Sequence, residues 1–121
     1  MYMKSVKPIL SFIFGFLLLF TGITHFIKPE IYLPFIPEFL PQNAINYFIG
    51  IIEFILGVGV FIPRFRTLAT LGILLLMLAF LPLHIIDVFK ENPAIGSHAM
   101  AYIRLPIQFV LIWWAWFIYK K

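Results

Sequence analysis

One acidic residue, Glu53, lies in the middle of an apolar stretch that runs from residue 47 to 62. Gly50 and Gly57 lie three residues before it and four residues after it, so all three share one face of a helix. Small residues on that face allow a neighbouring helix to come close. A carboxyl group in such a position has to be neutral, paired, or turned toward a polar interior, and it is by default a candidate functional group.

Five further polar residues fall within other apolar stretches and complete the candidate set. They are His25, His84, Asp87, Arg104 and Gln108. Counting about 1.5 Å of rise per helical residue places all six in the outer half of the protein or at its centre. We therefore predict that they form one cluster that binds a ligand or relays a proton. No catalytic residue is assigned.

The charges of these residues suggest how the cluster is arranged. Arg104 requires an acidic partner, and Asp87 lies at a similar depth. Glu53 lies deeper, where His84, Gln108 or protonation of its own carboxyl group would satisfy it. Burial disfavours the charged forms of carboxyl and imidazole groups alike, so a Glu–His pair in such a place can exchange a proton near neutral pH.

Each of these residues also has a structural interpretation. A pair such as Asp87 and Arg104 commonly serves only to tie two helices together. His25 lies close to a helix end, where an imidazole can reach water without any other role. Glu53 can likewise serve only as a hydrogen-bond partner of a neighbouring helix. The residues alone leave both interpretations open.

Composition is typical of an integral membrane protein. The 121 residues are 63% hydrophobic and 12% charged, whereas soluble domains are closer to half apolar and one quarter charged. There is room for about four helices of roughly 20 residues each, the length that crosses a bilayer, and none for a separate soluble domain. We predict an all-α, integral membrane four-helix bundle that forms a single domain over residues 1–121.

Four apolar stretches are the candidate spans, and polar or proline-rich segments separate them. The spans cover residues 8–27, 43–62, 67–89 and 98–119. Asn43 and Ser97 are suited to cap the second and fourth helices. Pro82 and Pro106 interrupt the hydrogen-bond ladders of the third and fourth helices. The connection 28–42 contains four prolines and many apolar residues, so we expect it to fold back over the helix ends or to lie among lipid headgroups.

Lysine and arginine are distributed unequally between the two ends of the spans. One end holds only basic residues: Lys4, Lys7, Arg64, Arg66, Lys120 and Lys121. The other end mixes basic and acidic residues: Lys28, Lys90, Arg104, Glu30, Glu38, Asp87 and Glu91. An excess of lysine and arginine marks the cytoplasmic side, so both termini are expected there. The net charge of +4 follows from this topology and does not indicate a nucleic-acid partner.

The chain contains no cysteine. Thiol relays, disulfides and thiolate metal sites are therefore excluded, and we predict no metal site. Two histidines can ligate a haem, but axial histidines alone do not define a haem pocket, and no other feature of the sequence supports one.

A short internal similarity relates the two halves of the chain. His25 is followed by Lys28-Pro29-Glu30, and His84 is followed by Lys90-Glu91-Asn92-Pro93. The first two spans and the last two spans are therefore candidate copies of one helical hairpin.

At these residues the sequence resembles the DoxX-like family of small four-helix membrane proteins. The similarity lies in Thr21-Gly22-Ile23-Thr24-His25-Phe26, Gly50-Ile51-Ile52-Glu53-Phe54-Ile55-Leu56-Gly57, Pro63-Arg64-Phe65-Arg66 and Leu81-Pro82-Leu83-His84. The resemblance implies a multi-pass protein of a bacterial cytoplasmic (inner) membrane. Some members of that family are associated with quinone-linked oxidation or with respiratory complexes, but the resemblance supplies no catalytic residues.

Two classes of function follow from these observations. The first is a redox- or respiration-associated membrane subunit that binds a quinone-like hydrophobic molecule through the outward-side polar cluster; if it is an enzyme, it is part of a membrane oxidoreductase. The second is a non-enzymatic binder of small molecules or lipids, a transporter, or an assembly factor of a larger membrane complex. Both classes involve the lipid bilayer and a hydrophobic small molecule or protein partner.

Overall fold

Four α-helices joined by short connections make up the fold. The computed structural model describes residues 2–120, and their side chains from residue 6 onward. The helices are α1 (Tyr2–Ile27), α2 (Gln42–Phe61), α3 (Arg66–Phe89) and α4 (His98–Tyr119), and two 3₁₀ turns, Pro29–Ile31 and Leu33–Phe35, lie between α1 and α2. No strand occurs in this described part of the chain, so the predicted all-α class is confirmed.

All four helices are long and apolar enough to cross a membrane. The mean hydropathy of their most apolar windows lies between 1.4 and 2.4, and only about one third or less of each window is buried inside the bundle. Large apolar side chains therefore cover the outside of the bundle as well as its interior. A helix that is hydrophobic all round is typical of a membrane span.

The helix ends agree with the predicted spans to within one residue, apart from the start of α1. Pro8 lies inside α1 rather than at its beginning. Ser97 caps α4 as predicted, because its hydroxyl oxygen accepts a hydrogen bond of 3.2 Å from the Met100 amide. The predicted cap at Asn43 is wrong, since Pro41 precedes α2 without a side-chain cap and Asn43 lies within the helix.

The helices form two antiparallel hairpins. α1 packs mainly on α2, and α3 packs mainly on α4. The hairpins meet chiefly through α2 and α3, whereas α1 and α4 have much less contact. The apolar core lies toward the end of the bundle that carries the chain termini, and it comprises Phe14, Leu18, Val60, Ala69, Ile73, Leu74, Met77, Ala115, Phe117 and Ile118.

Glycine residues bring α1 and α2 into backbone contact at two places. A Cβ atom added at Gly22 would lie 2.9 Å from the Gly50 carbonyl oxygen, and one added at Gly50 would lie 3.1 Å from the Gly22 carbonyl oxygen. Farther along, a Cβ atom at Gly57 would lie 2.9 Å from the Gly15 carbonyl oxygen. A backbone oxygen cannot move aside as a side chain can. The predicted close approach on the Gly50–Gly57 face of α2 is therefore confirmed, with α1 as the neighbour.

Basic residues gather at the end of the bundle that contains both termini. Lys7 Nζ donates a hydrogen bond to the Lys120 carbonyl oxygen, and Arg66 is held by the backbone at the end of α2. The first contact joins the start of α1 to the end of α4, and the second joins the start of α3 to the end of α2. The Lys4 side chain and Lys121, which are predicted at the same end, lie outside the described residues.

We expect Gly50→Ala to lower the thermal unfolding midpoint of the detergent-solubilised protein. Its Cβ atom would lie 2.7 Å from the His25 Cβ atom, and overpacking of this kind costs about 1–3 kcal/mol. Gly72→Ala is the matched control, because its Cβ atom would meet only the flexible end of the Leu56 side chain. An equal loss of stability in both variants would contradict the assigned role of the α1–α2 contact.

Candidate functional site

A cavity of about 400 Å³ lies between the two hairpins, near the connection that joins α1 to α2. Side chains from all four helices and from both connections on that side line it, and it is partly open. Most of the lining is apolar, and the polar members are Thr21, His25, Tyr32, Glu53, His84 and Arg104. A mostly apolar chamber of this size with a few polar groups is typical of a small-molecule site.

Four of the six predicted site residues line this cavity together. They are His25, Glu53, His84 and Arg104. The first hairpin contributes His25 and Glu53, and the second contributes the other two. Asp87 and Gln108 are also buried, but they do not line the cavity and their side chains are used elsewhere in the structure.

The partner of Glu53 is His25. The His25 Nε2 atom lies 3.3 Å from Glu53 Oε1, and each residue is only 4% exposed. The contact is not aligned as a hydrogen bond, and Oε1 has no hydrogen-bond partner among the described residues. The predicted partners His84 and Gln108 are therefore wrong. The contact between Gly22 and Gly50 explains the difference, because it brings the end of α1 directly onto the Glu53 face of α2.

Asn46 holds the other side of the His25 imidazole. The Asn46 Oδ1 atom lies 2.6 Å from His25 Nδ1, and Asn46 Nδ2 donates a hydrogen bond of 2.8 Å to the His25 carbonyl oxygen. Sequence analysis missed this residue, although it lies seven positions before Glu53 on the same helical face. Its spacing from Gly50 and Glu53 on that face was the available signal.

Tyr32 covers one face of the His25 ring. The two ring centroids are 3.6 Å apart, and the planes are inclined by 18°. Burial raises the pKa of the Tyr32 phenol, so the hydroxyl group stays protonated and can donate a hydrogen bond within the cavity. The interpretation of His25 as an imidazole that reaches water at a helix end is wrong, because stacking and burial enclose it.

The predicted pair of Asp87 and Arg104 does not form. The Asp87 carboxylate accepts hydrogen bonds from the backbone amides of Ala94 and Ile95, which lie in the connection after α3. These amides have no helical partner, and buried backbone donors need an acceptor. Asp87 therefore fixes the connection, while Arg104 Nη1 is buried without a hydrogen-bond partner among the described residues.

Gln108 ties α4 to α3 behind the cavity wall. It is fully buried, and its Nε2 atom donates a hydrogen bond of 2.7 Å to the Met77 carbonyl oxygen. The Met77 side chain lines the cavity. Gln108 therefore supports the wall of the cavity without contacting its interior.

The connection between α1 and α2 folds over the outer end of the cavity, as predicted. Ile36 is buried there, and Gln42 Nε2 donates to two carbonyl oxygens of the connection. The Phe35 ring lies edge-on to the His84 ring, with 5.4 Å between centroids. Lys90 Nζ donates a hydrogen bond of 2.9 Å to the carbonyl oxygen of Pro34. This last bond joins the two hairpins above the cavity.

The residues around the cavity allow three kinds of interaction with a bound molecule. A carboxyl–imidazole pair can hold and pass a proton. A guanidinium group can bind an oxygen acceptor with a charge-assisted hydrogen bond. The apolar wall can hold a hydrocarbon group. Within residues 2–120, no group of three or more histidine, aspartate or glutamate side chains is arranged to hold a metal ion.

We expect Asp87→Ala to release the connection between α3 and α4. Removing the carboxylate leaves the part-buried amides of Ala94 and Ile95 without this acceptor, which costs about 1 kcal/mol. Faster hydrogen–deuterium exchange at these two amides is the measurement. Glu91→Ala, at an exposed position in the same connection, is the control. Unchanged exchange at both amides in Asp87→Ala would refute the assigned role.

Comparison with known proteins identifies a family but no characterised relative. No curated protein and no solved structure matches the chain. The profile of one family matches residues 14–119 and so covers all four helices and both sides of the cavity. The chain therefore belongs to the family described as a domain of unknown function, DUF8561.

Proposed function

We propose that this protein spans a membrane and binds an apolar small molecule with an oxygen-bearing head group, such as a quinone, in the cavity between its hairpins. The observation that carries this proposal is that two buried atoms of residues lining a mostly apolar chamber, Glu53 Oε1 and Arg104 Nη1, have no hydrogen-bond partner among the described residues. An unsatisfied buried polar group costs about 1–3 kcal/mol, and more when it is charged. A bound head group would supply the missing interactions.

An opening between the helices favours a ligand that enters from lipid. The cavity is partly open, and α1 and α4 have much less contact than α2 and α3, the other helix pair that joins the hairpins. Leu17 of α1 lines the cavity and is 44% exposed. An apolar tail would pass beside Leu17 into the bilayer, while the head group stays near Arg104 and Glu53.

The resemblance to DoxX-like proteins at Thr21–Phe26 and Gly50–Gly57 supports a more specific role. It favours a redox- or respiration-associated subunit in a bacterial cytoplasmic membrane, with a membrane oxidoreductase as its partner. Quinones are the mobile apolar carriers that such a subunit would bind. In this role, Arg104 holds a ring oxygen, and the Glu53–His25 pair exchanges a proton near the second one.

Purified protein in nanodiscs is expected to bind decylubiquinone saturably. Quenching of tryptophan fluorescence can report this binding, because the Trp114 ring packs 4.7 Å from the Phe14 ring, and Phe14 lines the cavity. Arg104→Gln should weaken binding by about 10- to 100-fold, the factor that corresponds to one hydrogen bond to a charged group. Arg64→Gln, at an exposed position in the α2–α3 turn, is the matched control. Absence of saturable binding, or equal weakening in the control, would overturn the proposal.

The distribution of charge supports an orientation with both termini in the cytoplasm. Because the chain has no cysteine, single cysteines can be introduced without a background signal. A membrane-impermeant maleimide added to intact spheroplasts should label Glu91→Cys and leave Arg64→Cys unlabelled until the membrane is permeabilised. Labelling in the reverse order would overturn the orientation, and labelling of both from outside would contradict membrane insertion.

A further inference from the structure

We infer that the Glu53–His25 pair holds one proton and carries no net charge, so that a molecule bound beside it has to balance the positive charge of Arg104. This inference rests on the proposed function and names the class of ligand. The ligand is an apolar molecule whose polar end carries an acceptor oxygen or a negative charge, and the cavity rejects cations. Asn46 is a positioning residue: it orients the His25 imidazole and thereby determines how many protons the Glu53–His25 pair holds.

The orientation of the Asn46 amide follows from its two partners. The His25 carbonyl oxygen can only accept a hydrogen bond, so the Asn46 NH₂ group has to face it at 2.8 Å. The Asn46 oxygen then faces His25 Nδ1 at 2.6 Å. Since that oxygen can only accept, the hydrogen of this bond belongs to His25 Nδ1.

The tautomer of His25 determines what Glu53 faces. A neutral imidazole carries one N–H group, and Asn46 assigns it to Nδ1. The unprotonated Nε2 atom would then lie 3.3 Å from Glu53 Oε1. Two acceptors in a buried contact repel each other. One additional proton removes the repulsion, either as a carboxylic acid beside a neutral imidazole or as a carboxylate beside an imidazolium. Both states are neutral overall.

Arg104 then remains the uncompensated charge of the cavity. Among the described residues, no carboxylate lies within ion-pair distance of its guanidinium, and Asp87, which accepts hydrogen bonds from the amides of Ala94 and Ile95, does not line the cavity. The Arg104 Nη1 atom is buried without a hydrogen-bond partner among these residues. His84, the other titratable group on the second hairpin that lines the cavity, can add positive charge but not negative charge. The Arg104 side chain is only partly buried, but leaving its buried Nη1 atom without a partner is costly, and a ligand oxygen at Nη1 removes that cost.

Without the bond from Asn46, the charge of the cavity would be different. His25 could then adopt the tautomer with hydrogen on Nε2 and donate directly to a Glu53 carboxylate. No additional proton would be needed, and the negative charge of Glu53 would offset Arg104. The identity of the residue at position 46 therefore determines whether the cavity prefers an anionic or acceptor-bearing molecule over a cation.

Spectroscopy of the purified protein tests the proton count directly. The infrared band of a protonated carboxyl group, assigned by its loss in Glu53→Gln, and the ¹⁵N chemical shifts of His25 together locate the proton. We expect either the acid band or an imidazolium in the natural protein and in Asn46→Asp, which keeps an acceptor for Nδ1. Asn46→Leu should show a carboxylate with a neutral imidazole. That same result in the natural protein would overturn the inference, whether or not Asn46→Leu folds.

Binding of three probes tests the class of ligand. The probes are decylubiquinone, dodecanoate and dodecylammonium, each added to the protein in phosphatidylcholine nanodiscs. We expect dodecylammonium to bind at least about 10-fold more weakly than the better of the other two, and Asn46→Leu to reduce this difference. The ranking of decylubiquinone and dodecanoate shows whether the acceptor is a carbonyl or a carboxylate.

The outcomes separate the two proposals. Equal or tighter binding of dodecylammonium by the natural protein would overturn the charge inference and leave the proposed cavity function in place. Failure of all three probes to bind would overturn the proposed function and, with it, the class of ligand. The proton count would still be decided by the spectra.

Discussion

The contact between Glu53 and His25 depends on the backbone-to-backbone approach of α1 and α2. Gly22 and Gly50 touch through backbone atoms, and a Cβ atom on Gly50 would lie 2.7 Å from the His25 Cβ atom. The absence of a side chain at Gly50 is therefore what leaves room for His25 over α2. Asn46 lies one turn before Gly50 and Glu53 lies one turn after it. As a result, a single helix contacts both nitrogen atoms of the imidazole.

The polar residues of the bundle fall into two groups with different roles. Asp87 and Gln108 are used inside the protein, where they satisfy loop amides and join α3 to α4. Glu53 and Arg104 keep buried atoms without hydrogen-bond partners among the described residues. Gln108 Oε1 also lacks a partner among these residues, so it is the position of Glu53 and Arg104 on the cavity wall that separates them from the residues that hold the fold.

The sequence predicts the spans and the depth of the polar residues well. Span length and hydropathy are local properties, so the helices could be placed to within about one residue at most of their ends. Spacing along a helix also gives the height of a side chain, and four of the six residues predicted between the centre and one end of the bundle do line one cavity. The Gly50–Gly57 face similarly indicated a close helix neighbour.

Side-chain partners could not be predicted in the same way. Height along a helix does not determine which neighbour a side chain faces, and this is why His84 was favoured over His25 as the partner of Glu53. Charge alone predicts a pair of Asp87 and Arg104. The conformation of the connection between α3 and α4 instead places the backbone amides of Ala94 and Ile95 beside Asp87. Asn46 carries no charge, so the pattern of charged residues does not single it out, although it shares the helical face of Glu53.

The division of the cavity between two hairpins has a consequence for how the protein is held together. His25 and Glu53 come from the first hairpin, and His84 and Arg104 come from the second. A molecule that contacts the cavity residues of both hairpins would bind only when the hairpins are packed together. Its binding free energy would therefore add to the stability of the folded protein. The bound molecule would then contribute to the packing of the protein core. When this molecule dissociates, the contact between α1 and α4 would loosen first.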